Sequence, residues 1–217
     1  VTHYSHKNIV RGISEWGDKN GQNTRDFDTL DKHNQAIVDG INKYVKEDDE
    51  LWCLGDWSFG GIENIWNFRK RIVCKNIHLI YGNHDHHIEK NKILSNCHFS
   101  KLGFTDGPFD TRVGKPWIQA QELFSSCQYV KELNYKGQLF FLSHYSHQVW
   151  NKSHKGSIHL FGHSHSTLEG IGKSMDVGID NAYKMFGEYT PFNINEIIKI
   201  MSKIDVKIVD HHNSKTT

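Results

Sequence analysis

The chain lacks any apolar run near the ~18–20 residues that cross a bilayer, so no membrane partner is expected. It also lacks a dominant charge. Lysine and arginine number 26 against 25 acids, a net charge of +1, so nucleic-acid binding through a basic face has no support. Paired cysteines are missing too. Cys53, Cys74, Cys97 and Cys127 form no C-x-x-C pair, and Cys53 lies in an apolar run, where a reduced buried thiol is expected. No secretory signal pattern opens the sequence, so a reducing, cytoplasmic location is expected. No initiator Met and no apolar strand precede Thr2. The first strand is therefore expected to be missing or truncated.

What the chain has in quantity is histidine, 16 residues in 217. Many stand beside glycine turns. Gly55-Asp56 follows the apolar run 51–54, Gly82-Asn83-His84-Asp85 follows 77–81, and Gly162-His163-Ser164-His165 follows 158–161. Strand, glycine and metal-ligand residue, repeated three times, suggest one site at the ends of parallel strands. Residues 26–45 carry a helical stripe that Asp26 or Asp28 could cap. Helices are also expected at 62–72, 85–94 and 193–203, with strands at 51–54, 77–81, 157–161 and 174–177. A hairpin is expected across 134–137. The length fits a single domain over 1–217, with the tail from about 205 peripheral.

The donor chemistry follows from residue type. Asp56 is an anion that can bridge two cations. His3, His144, His163 and His165 are neutral imidazole donors, and Asn83 offers an amide oxygen. This thiolate-free set suits Mn, Fe, Ni or Zn, with Mn the expected ion. Two such ions would clamp a phosphate and generate hydroxide near neutral pH. His84 projects away from its neighbour Asn83 and could stabilise phosphoryl charge or protonate a leaving alkoxide, with Asp85 as its partner. His6 and Arg11 are weaker candidates for substrate contact. Arg25, like Arg11, is a phosphate-clamp candidate by chemistry alone and reads more simply as an ordinary surface arginine; His86 and His87 read as solvated, and His159 as a core residue or a support behind the donors. His147 and His154 read equally as cleft-lining or as loop residues, and Trp57 and Phe59 as a cleft wall or as core.

In order, these motifs resemble the calcineurin-like metallophosphoesterase superfamily, in its small bacterial and phage-type branch. The opening His3-Tyr4-Ser5-His6-Lys7-Asn8-Ile9 and the later Met175-Asp176-Val177-Gly178-Ile179-Asp180 share in the resemblance. It implies a four-layer α/β/β/α sandwich of two facing mixed sheets flanked by helices, in the cytoplasm of a bacterium or phage-infected host. It also implies two divalent ions. His3, Asp56 and His165 would hold one, and Asp56, Asn83, His144 and His163 the other. His84 would be the catalytic histidine. The implied activity is hydrolysis of a phosphodiester or phosphomonoester, in a small nucleotide-like substrate, by metal-bound hydroxide. One position departs from the pattern: an Asp belongs two residues before the first His, and Val1 stands there. The expected explanations are a chain that starts inside the motif, or a stretch absent between Thr2 and His3. The alternative is a degenerate member acting as a binding or scaffold module.

Overall fold

The computed structural model describes residues 1–14, 24–95 and 117–210, and shows a mixed α/β fold. Helix α1 spans Leu30–Tyr44 and is capped by neither expected aspartate. Thr29 Oγ1 accepts the Lys32 amide, while Asp28 pairs with the Lys32 ammonium instead. Strand β1 (Glu50–Cys53), helix α2 (Ile62–Arg69) and strand β2 (Asn76–Ile80) follow.

The single helix expected at 85–94 is two elements. Helix α3 is only His86–Glu89, and Ile93–Ser95 forms strand β3, paired antiparallel with β4 (Trp117–Gln119). Asn91, at φ 47°, breaks the helix between them. Strand β5 (Ser126–Gln128) pairs parallel with β2, which pairs parallel with β1. A second sheet has the order β6-β7-β8-β9, over Val130–Tyr135, Gln138–Ser143, Ile158–Phe161 and Ser174–Asp176. The β6–β7 hairpin turns on Lys136 and Gly137, both at positive φ, as a two-residue turn of the favoured hand requires. Helices α4 (Ile179–Phe186) and α5 (Ile194–Met201) complete the order. No helix among the described residues is long and apolar enough to cross a membrane.

Strand alternation sends side chains into two cores. Leu51, Cys53, Ile77 and Leu79 meet Ile37 and Ile41 of α1 and Phe68 of α2. Leu54 and Ile80 join Phe140, Leu142, Leu160 and Met175 of the second sheet, with Ile197 and Met201 of α5. Alternate residues of the first sheet thus divide between a core shared with α1 and α2 and a core shared with the second sheet and α5. Trp57 belongs to the core: it is 1% exposed and lies against Phe68, ring centroids 4.3 Å apart. The same packing carries Asp56 and the ends of β1, β2, β7 and β8 to one edge.

His159 is a core residue, as expected. Its Nε2 accepts the His147 amide at 2.9 Å, and its Nδ1 donates to the Phe141 carbonyl at 3.1 Å. Burial lowers its pKa from 6.5 to about 4. Because the folded pKa lies below the unfolded one, this group's stabilisation is complete above pH 6.5 and is lost as pH falls through about 4. Its share is up to about 3 kcal/mol. Urea denaturation at pH 7 and pH 4.5 should show a smaller acid loss in His159→Gln than in the wild type. An equal loss would refute the assignment.

Candidate metal centre

Each ligand turn is fixed by close backbone approach. Gly55 sits at φ 89°, and a Cβ there would lie 2.3 Å from His144 Nδ1. A Cβ on Gly82 would lie 2.4 Å from Asp56 Oδ1 and 2.5 Å from Asp56 N. These glycines are required because the loops touch. The side chains they release are held off the usual backbone regions: His3, Asp56, His163 and His165 all have φ between 47° and 59°. Non-glycine residues at such angles carry strain and persist where surrounding bonds over-determine them.

Asp56 is the shared centre. It is 1% exposed. Its Oδ1 accepts the His84 amide at 2.9 Å. Its Oδ2 lies 3.2 Å from His3 Nε2 and 3.3 Å from His144 Nε2. His144 Nδ1 donates to the Leu54 carbonyl at 2.8 Å, so the neutral ring carries a lone pair on Nε2. That lone pair faces Asp56 Oδ2, Asn83 Oδ1 at 3.0 Å and His163 Nδ1 at 3.2 Å. His3 Nε2 is buried and, among the described residues, has no hydrogen-bond partner despite its approach to Asp56. Acceptor atoms converging in this way, one of them orphaned, fit a cation between them.

The electrostatics agree. Burial would raise the Asp56 carboxyl, but contacts with His3, His144 and the His84 amide outweigh it and hold the group well below the ordinary carboxylate range. Burial lowers His3 well below 6.5 and lowers His144 as well, which keeps both rings neutral. An ionised carboxylate beside neutral imidazoles is the protonation state that metal binding needs.

Two tight donor groups share Asp56. One is Asp56, His144 and His163, as expected, with Asn83 beside it. The other is His3, Asp56 and His84. His84 therefore approaches the first position more closely than the sequence suggests. His165 stacks on His3 at 4.9 Å, and its Nδ1 bonds Asp180 Oδ2 at 2.8 Å. A cleft of about 530 Å³ is lined by His3, His6, Asp56, Asn83, His84, His163 and His165, with Ile9, Thr167 and Leu168 at its sides.

No family model and no curated protein matches the chain. Its fold resembles one solved structure, a protein of unknown function, AQ665, from Aquifex aeolicus. The two share 17% identity over 92% of this chain and 95% of that one, with a TM-score of 0.55. That likeness concerns the fold alone.

Several expectations need correction. Asp85 is not joined to the His84 ring by any bond among the described residues. Its carboxylate accepts the amides of Asp56, Trp57 and Gly82 at 2.8–2.9 Å and so ties the first two ligand loops together. Burial pushes its carboxyl up to about 7, against those three donors, which favour the anion. Arg11 does not line the cleft. It pairs with Asp26 at 3.1 Å, on the outside. His3 N bonds Asp56 O and Tyr4 N bonds Trp57 O, in step along the segment that follows β1. Val1 stands two residues before His3 with its side chain buried, and its Cγ2 fills the space a Cβ on Gly162 would need.

Arg25 is the residue that sequence reasoning misplaced. It is fully buried. Its Nε and Nη2 bond Asp180 Oδ1 and Oδ2, each at 2.8 Å. Nη1 reaches the Thr2 carbonyl and His33 Nε2, and Nη2 also reaches the Val1 carbonyl. All five N–H donors are engaged. Arg25 thus joins the segment carrying His3 to the carboxylate that orients His165. Asp176 serves the same loop, accepting from Ser164 Oγ and Ser166 N on its Oδ2. The pairing Arg25–Asp180 spans 155 residues, and no local pattern marks it.

Arg25→Met should destabilise the fold by about 3–5 kcal/mol, because Asp180 loses its countercharge inside the protein. In urea titrations, the double variant with Asp180→Asn should cost clearly less than the sum of the two single changes. Additive costs would contradict the pairing.

Proposed function

We propose that the chain is a dinuclear metal-dependent phosphoesterase of the calcineurin-like metallophosphoesterase type, with that superfamily's four-layer α/β/β/α arrangement. The observation that carries this is Asp56 Oδ2, within 3.3 Å of one imidazole nitrogen from each of two separate donor groups. A single carboxylate shared by two groups is what a bridged pair of cations requires.

His3, Asp56 and His165 would hold one ion, with His84 close by. Asp56, Asn83, His144 and His163 would hold the other. Such ions supply charge for phosphoryl oxygens and lower the pKa of water. The chain's own residues do the rest. Asp85 and the Gly55 and Gly82 turns hold the donor loops in contact. His84, anchored through its amide to Asp56 and set edge-on to Phe59, faces the cleft, where it can donate to a phosphoryl or leaving-group oxygen. The cleft volume suits a small phosphate ester of nucleotide size, with Mn the expected ion.

A second reading, a degenerate binding or scaffold module, draws on one observation. Val1, two residues before His3, is apolar and buried, and Asp56 is the only carboxylate in the two donor groups found among the described residues. A protein with neither bound metal nor turnover of a bis-aryl phosphate would favour it.

Under the enzyme reading, His84→Ala should lower turnover of the bis-aryl phosphate about 100-fold or more while two metal equivalents stay bound. Asn83→Ala and His144→Ala should each lower metal occupancy, measured by elemental analysis after dialysis. Loss of one metal in His84→Ala would make His84 a ligand instead. Unchanged turnover would remove its catalytic role.

A further inference from the structure

His6 lies in the cleft wall, 9% exposed, stacked flat on Phe59 with ring centroids 3.8 Å apart and planes 10° from parallel. Its Nδ1 lies 3.1 Å from Nδ1 of His3. Two ring nitrogens at that distance share one hydrogen, so one ring donates and the other accepts. Which one donates follows from the other end of His3. Its Nε2 faces Asp56 Oδ2 with no hydrogen bond, and it can serve as a ligand only when unprotonated. The His3 hydrogen must then sit on Nδ1 and be donated to His6.

The consequence passes through the second ring. With its Nδ1 accepting, a neutral His6 carries its hydrogen on Nε2. That atom has no protein partner among the described residues and is not sealed from solvent, so it meets the cleft that His6 lines. The Phe59 stack holds the ring plane in which both nitrogens act. Metal-binding histidines usually donate their second N–H to a carboxylate or backbone carbonyl. For His3 that acceptor is an imidazole, which has an outward-facing donor of its own.

We propose that His6 locks His3 in its ligating tautomer and presents Nε2–H to an anionic phosphoryl oxygen of the substrate. This rests on the metal reading given above. Ligation at His3 and anion binding at His6 are then two ends of one hydrogen-bond chain.

Substitution can separate the two ends. Asn places an acceptor oxygen near the position of Nδ1, and Gln places an amide near Nε2. Mn binding by calorimetry, then orthophosphate binding to the Mn-loaded protein, would be measured for wild type, His6→Asn and His6→Gln. His6→Asn should keep Mn affinity within about threefold and weaken orthophosphate about tenfold. His6→Gln should weaken one Mn equivalent by about 10–100-fold. In the wild type loaded with diamagnetic Zn, ¹⁵N spectra should show the His6 hydrogen on Nε2. A hydrogen on Nδ1, or two variants that match the wild type in both affinities, would overturn the proposal while leaving the metal reading intact. A wild-type protein that binds no Mn would overturn both, and the wild-type titration alone reveals that case.

Discussion

The rest of the site depends on the placement of one carboxylate. Asp56 stands on a left-handed backbone, fully enclosed, with a neutral imidazole on either side of one oxygen. Nothing about that arrangement is favourable by itself. A buried anion costs free energy, strained φ values cost more, and facing lone pairs repel. The arrangement persists because bonds around it over-determine it. Asp85 holds its backbone amide, the His84 amide holds Oδ1, and the glycines on either side let the loops touch. A cation between the acceptors would turn the repulsion into attraction, which is the physical basis of the proposed function.

Support for the site extends well beyond the donors. Arg25 and Asp180 form a buried ion pair that ties together the His3 segment, the N-terminal end of α4 and the His165 ring. Buried pairs of this kind add little net stability compared with apolar packing, but losing one partner is costly. Their value here is positional. The same network fixes two segments bearing candidate donors, His3 and His165, that lie far apart in sequence. Asp176 holds the Gly162–His165 loop from the end of β9 in a comparable way.

The strand–glycine–ligand segments were legible because each is local. An apolar run, a forced turn and a donor residue leave a pattern within six or seven positions. The parallel β1–β2 pair, the β6–β7 hairpin and α5 were legible for the same reason. Arg25 was not, because its partners come from opposite ends of the chain and an isolated arginine is usually solvated. Asp85 was misread because adjacency to His84 suggested a side-chain bond, whereas its oxygens are taken by backbone amides of Gly82 in its own loop and of Asp56 and Trp57 in the next. The 85–94 helix failed at Asn91, whose left-handed backbone divides a stretch that otherwise reads as continuous. Val1 is apolar where the resemblance implies a carboxylate, and its buried side chain packs against Gly162.

If Asp56 bridges two cations, electron paramagnetic resonance of the Mn-loaded protein should show two Mn per chain with an exchange-coupled spectrum, which disappears in Asp56→Asn. The spectrum of an isolated ion in the wild type, or no bound Mn at all, would contradict that bridge.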